Sequence, residues 1–252
     1  MVQYLIMDET RVLPYCLHGG PIPISDLVHP EEARARIEAE KGLPHGPIVE
    51  FLRAVSRVYG ASGIMAVDGD SALRPGSGQV IGKIRFAPVS LFPSITSACV
   101  QSEDGVSAIG ALDLERLTPK EDLSPKSLFL WCVQIVPEYG RQGIGMNLLT
   151  AMIAWARDNG WEEIQALASR HIRPLLDWTG MPSIDRLRRL GFREVGHSVN
   201  DELKKGVVAM RGGYHGEDVR RQWDSYTDLS DDEASWVYDV VYPLNDAPRS
   251  SV

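Results

Sequence analysis

The sequence predicts an α/β fold, and three observations predict it. Residues 128–136 form an apolar run with Gln134 as its one interior polar residue. Such a run reads as a strand buried on both faces. A glycine-rich turn follows, after which Ile144, Leu148, Met152 and Trp155, with Leu149 and Ala156 beside them, recur at helical spacing. Upstream, 63–67 and 80–86 read as two strands joined by a glycine-rich turn, a hairpin by pattern.

The remaining elements follow in order. Residues 2–7 are a first strand, and 11–29, rich in Pro, Gly and His, a loop. Pro30 with Glu31 and Glu32 starts a helix running to about Lys41; Ile37 is its main large apolar residue, so it lies on the surface. Pro47 opens a second helix with Ile48, Phe51, Leu52, Val55 and Val58 on one face. Residues 91–126 interrupt the passage into the central strand. Within them 107–114 reads as an extra strand, and Pro119, Pro125 and the charges between them as a surface connection, either a functional lid or a passive excursion. Pro137 stops the central strand because proline lacks the N–H that such a strand donates. Asn159 and Gly160 stop the long helix. Residues 161–168 are the next strand, and 184–196 a short helix, a glycine cap at Gly191 and a strand. Residues 206–211 read as a closing strand, and 217–226 as a helix carrying Val219, Trp223 and Tyr226. The alternation in 236–242 reads as a last strand, with Trp236 and Tyr238 expected on opposite faces, and 245–252 as a loose tail.

Composition sets limits on function. The chain has 252 residues, 44% hydrophobic and 24% charged, which is ordinary for a soluble globular protein. Its net charge of −8 argues against general nucleic-acid binding, which needs a basic footprint, and is compatible with cationic acceptors. No apolar run reaches the roughly 18 residues of a membrane helix. The start MVQYLIMDET lacks the charged segment of a secretory signal. Cys16, Cys99 and Cys132, odd in number and without C-x-x-C spacing, fit reduced thiols in a cytoplasm. Cys16-x-His18 supplies too few ligands for a metal, so none is expected.

The turn after the central strand carries chemistry. Gly140, Gly143 and Gly145 let the backbone approach a ligand without Cβ interference. The first N–H groups of a helix lack intrahelical partners and sit in positive potential, a ready phosphate site, and Arg141 adds a charge there. The spacing is neither the dinucleotide G-x-G-x-x-G nor a P-loop, since no Gly-Lys-Ser/Thr follows. Ile135-Val136-Pro137 followed by Gly140-Arg141-Gln142-Gly143-Ile144-Gly145 instead resembles motif A of the GNAT superfamily, the acyl-CoA N-acyltransferases. It departs at Gly140, where the family has Gln or Arg. The helix ending Leu190-Gly191-Phe192 before a strand resembles the family's motif B. The resemblance covers about 128–198 firmly and reaches back to about 47.

The resemblance implies a mixed, mainly antiparallel sheet flanked by helices, built from residues 1–215 with an insertion at about 91–126. Residues 216–252 would be a C-terminal extension packed on the domain or on a partner subunit. It implies an acyl-CoA-dependent N-acyltransferase, most simply an N-acetyltransferase moving acetyl from acetyl-CoA to an amine of a small molecule or protein. The alternative on the same fold is a non-catalytic acyl-CoA-binding or regulatory protein. Partners would be acyl-CoA and the amine, with no nucleic acid and no membrane, and a homodimer is left open. The pantetheine arm would add to the backbone of Val133 and Ile135, past Gln134, where the central strand splays from its neighbour. The pyrophosphate would rest on the 140–146 turn: Gly140, Arg141, Gln142, Gly143, Ile144, Gly145 and Met146. An amide near Val133 would hold the oxyanion. The Tyr that serves many members as acid on the motif B helix is absent; Leu187 and Arg188 stand in its place, and Gly180 falls near the usual Asn. The catalytic residue is therefore unassigned, with His171, Tyr139 and Gln134 as candidate substitutes. Cys132 reads as inert core, and Glu162 and Glu163 as a solvated strand entrance.

Overall fold

The computed structural model describes residues 1–17, 20–28, 46–69, 78–92 and 117–245. The expected helix at 30–41, the expected strand at 107–114 and the tail from 246 lie outside the described residues. In chain order the elements are β1 (Val2–Met7), β2 (Ile22–Pro23), α1 (Ser25–Val28), α2 (Gly46–Tyr59), β3 (Gly63–Asp68), β4 (Gln79–Pro88) and β5 (Ser127–Ile135). There follow α3 (Ile144–Asp158), β6 (Glu163–Ser169), α4 (Arg173–Thr179), α5 (Ile184–Arg189) and β7 (Arg193–Val199). Last come α6 (Asp201–Arg211), α7 (Glu217–Trp223), α8 (Asp231–Ala234) and β8 (Trp236–Pro243).

The strands form one sheet in the order β1-β3-β4-β5-β6-β8-β7, with β2 paired to the start of β4. Every pairing is antiparallel except β5 with β6, so the sheet is mixed and mainly antiparallel, as expected. β5 is central and buried over most of its length. On one face α2 and α3 pack through Phe51, Leu52, Val55, Ile144, Leu148 and Met152, all buried. α3 approaches β4 so closely that a Cβ on Gly82 would lie 3.1 Å from both Ile135 and Ile144. The opposite face is covered by residues 13–17 and 22–27, which bury Leu13, Tyr15, Leu17, Ile22, Ile24 and Leu27 against Met65, Val67 and Val80.

Four expectations are corrected. The 11–29 segment is not all loop; it contains β2 and α1. In α2, Val58 is 40% exposed, and Tyr59 takes the inward place, one position on, with its hydroxyl on the Thr118 carbonyl at 2.7 Å. Residues 206–211 are not a strand but the second half of α6. Asn200 caps that helix by accepting from the Leu203 amide at 2.9 Å, and Leu203, Val207 and Met210 then fall on one buried stripe. Gly206 costs the helix about 1 kcal/mol relative to Ala, but the Trp178 ring lies where its Cβ would be, 2.5 Å away. Finally, Trp236 and Tyr238 share a face of β8, since residues two apart in a strand point the same way. Their rings are 6.3 Å apart and both lie against His197.

Leu187 sits on α5 with no exposed surface. Leu187→Ala is expected to cost about 2–5 kcal/mol, a cavity-forming change in a packed site. Chemical denaturation measures it, and a cost below 1 kcal/mol would contradict the packing.

Candidate functional site

The site begins with a break in the sheet. β5 and β6 pair in parallel only from Ser127↔Glu163 to Leu130↔Ala166. At that point the register of β5 against β4 slips: Phe86 faces Leu130 but Arg85 faces Cys132, leaving Trp131 over. A bulge bends the strand that carries it. Past the bulge β5 continues to Ile135, while β6, paired with β8 along its whole length, keeps only that partner from Leu167 to Ser169. The two parallel strands therefore diverge, and a wedge opens between them.

Residues 180–183 straddle the wedge. The Val133 amide donates to the Gly180 carbonyl at 2.7 Å, and the Ser169 amide to the Pro182 carbonyl at 3.1 Å. Antiparallel alternation puts the Ile135 amide on the same wedge-facing edge as that of Val133. The Val133 amide, expected to hold an oxyanion, thus already has an acceptor in this structure.

The wedge leads into a cleft of about 720 Å³. Val133, Gln134 and Ile135 line one side, and the 139–146 turn, apart from Gln142, lines the end. Gln142 is exposed beside it. Gly143 is the N-cap of α3 at φ 79°, left-handed, with no side chain to cap the helix and open space where a Cβ would point. The amides of Ile144, Gly145 and Met146 therefore have no intrahelical acceptor and face the cleft end with the helix dipole behind them. Arg141 is also left-handed at φ 64°, a strain of about 1–3 kcal/mol held at this turn.

Sequence reasoning named His171 but missed the rest of the facing wall. Arg173 and Asp177 of α4, Arg186 and Arg189 of α5, and Tyr226 from beyond α7 line the cleft together with His171, which precedes α4. Arg173 pairs with Asp177 at 3.6 Å, and its amide donates to the Tyr226 hydroxyl at 3.3 Å. The arginines were not legible as a site because they sit on short helices with no pattern that separates them from a solvated face.

The three candidate substitutes differ. His171 is on the cleft wall, and burial and the neighbouring Arg186 and Arg189, partly offset by Asp185, hold its pKa below the usual histidine value. Tyr139 is a tether: its hydroxyl donates to Asp68 at 3.2 Å, and partial burial and that carboxylate push its pKa up, away from acid duty. Gln134 is buried and accepts from the Leu17 amide at 3.2 Å, so it fastens the 12–17 segment to β5. Beneath that segment lie two buried cations unforeseen from sequence. Lys83 donates to the Tyr15 carbonyl, and Arg85 to the Leu13 carbonyl at 2.5 Å. Cys132 lies beside them, and burial pushes its thiol up against the pull of both charges, in keeping with an inert thiol. Among the described residues no group of three or more His, Cys, Asp or Glu is placed to hold a metal. His18 lies outside the described residues.

Comparison with known proteins bears on this geometry. Residues 76–173 match the family described as Acetyltransferase (GNAT) family. No curated protein matches the chain in sequence. Among solved structures the chain is similar to a mosquito arylalkylamine N-acetyltransferase like 5b, at 13% identity over 96% of this chain and 100% of that one, with a TM-score of 0.46. It is also similar to yncA, a putative acetyltransferase from Salmonella typhimurium with its cofactor acetyl-CoA, at 12% identity over 100% of this chain and 99% of that one, with a TM-score of 0.47. These two similarities assign no residue.

Proposed function

We propose that the chain, whose residues 76–173 match the GNAT acetyltransferase family, is an acyl-CoA-dependent N-acyltransferase, moving acetyl from acetyl-CoA to an amine of a small molecule or protein in the cytoplasm. The observation that carries the reading is the wedge between β5 and β6 running into the unsatisfied amides at the start of α3. An extended arm fits the wedge as an added strand, and a diphosphate fits the amides. The residues present suit the carrier: backbone donors at the turn, and an apolar lining from Ile135, Leu149, Leu176 and Met181 for the arm.

The amine must arrive neutral, and the leaving thiolate must gain a proton. His171 is the cleft-wall group in the right state for the first task, because its lowered pKa keeps it neutral at pH 7. If it is the base, the acidic limb of kcat/KM falls below pH ~6.5, the value of an unperturbed histidine. His171→Gln removes that limb; a limb that stays in place excludes His171. A second reading, carrier binding without turnover, is favoured by one observation, the Gly180 carbonyl already on the Val133 amide. Release of free CoA from acetyl-CoA across a panel of amines decides. Turnover with any of them supports the enzyme; tight binding without release across the panel supports the second reading.

A further inference from the structure

The cationic side of the cleft is out of balance with the rest of the chain. The protein carries a net charge of −8, yet the cleft is lined by Arg141, Arg173, Arg186 and Arg189 against Glu138 and Asp177. Asp177 is engaged by Arg173. Among the described residues Arg141, Arg186 and Arg189 form no ion pair. Arg186 is the unusual one. It reaches from α5 across to the start of α3, its Nη1 3.8 Å from where a Cβ on Gly145 would be. It is half-buried, with Arg189 as a like-charged neighbour, and burial and that neighbour, partly offset by Asp177, lower its pKa. A guanidinium held there pays three electrostatic penalties together: lost water, a second arginine, and the positive end of a helix of 15 residues. An anion between Arg186 and the α3 amides would offset all three.

We propose that Arg186 is a direct ligand of the diphosphate on the acyl carrier, so that α5 closes from above a phosphate site whose floor is the start of α3. The proposal rests on the acyl-CoA reading. It makes Arg186 the side chain that, with the α3 amides, distinguishes a phosphorylated carrier from a bare pantetheine arm. It also explains why the short α5 carries its arginine toward α3: Leu187 is buried beneath and Arg186 turns to the cleft.

The test is calorimetry on the full chain with three probes: CoA, pantetheine without phosphates, and inorganic pyrophosphate. Arg186→Ala is expected to weaken CoA and pyrophosphate by about 10- to 100-fold, as for a charge-assisted hydrogen-bonding group, and to flatten the salt dependence of CoA binding. Pantetheine affinity should not move, and the melting temperature of the unliganded protein should not fall. Arg186→Lys should recover part of the CoA affinity, since charge is kept but the planar fork is lost. Unchanged CoA affinity in Arg186→Ala overturns the proposal, as does an equal loss for CoA and pantetheine, which would mark Arg186 as structural. Wild type that binds pyrophosphate with Arg186 dependence but not CoA would keep the anion site and sink the acyl-CoA reading. Wild type that binds none of the three sinks both.

Discussion

Gly143→Asp is expected to abolish CoA binding in a protein that still folds. Gly143 caps α3 in the left-handed region with nothing within 4 Å of its Cβ direction, so a side chain there enters the cleft and displaces no core atom. Left-handed backbone costs an ordinary residue about 1–2 kcal/mol, and Asp and Asn tolerate it better than most. The carboxylate would sit at the positive end of α3 and take the free amides itself, as a built-in anion. A diphosphate would then meet like charge and lose its donors. Losing two charge-assisted hydrogen bonds costs about 3–6 kcal/mol, a hundredfold or more in Kd. Gly143→Asn separates the causes, since it keeps the bulk and backbone strain but brings no charge; it should weaken CoA less. Calorimetry on variants with native circular dichroism reads the outcome. Wild-type CoA affinity in folded Gly143→Asp would remove the carrier from this turn.

The legible part of this molecule is the part whose cause is local. The run at 128–136, the glycines and the stripe on α3 each follow from neighbours in sequence, and β5, the turn and α3 are where those neighbours place them. The α3 amides were readable because they belong to the backbone and need only a helix start. The facing wall was not, because Arg186 becomes a site only when α5 is folded across α3, and nothing in Ile184-Asp185-Arg186-Leu187 sets it apart from a solvated turn. Residues 206–211 misled for a related reason. Read alone, six residues with four apolar ones resemble a strand; read with Asn200 and Leu203, they continue a helical stripe. The expectation for Trp236 and Tyr238 failed against the period of a strand itself.

Deleting residues 217–252 is expected to unfold the protein, because β8 is an interior strand. It lies between β6 and β7, bonded to both along its length, although it is last in the chain. Its removal strips the partner from the wedge-forming end of β6 and leaves β7 with no neighbour. Val237, Tyr238 and Val240 are buried, as is Trp223 of α7, which carries Arg211 over its ring at 4.9 Å. Each such side chain contributes about 1.5–3 kcal/mol on burial, so together they approach the whole stability of a typical domain, about 5–15 kcal/mol. The cleft would suffer as well, since Tyr226 lines it and accepts from the Arg173 amide at the start of α4. Truncation should therefore abolish a cooperative thermal transition and acceptor turnover together. Val240→Asp is the smaller probe of the same cause: a carboxylate placed where 1% of the residue is exposed should lower the melting temperature steeply while leaving the chain full length. A truncated protein with wild-type melting temperature, oligomeric state and turnover would show that the sheet does not need its last strand.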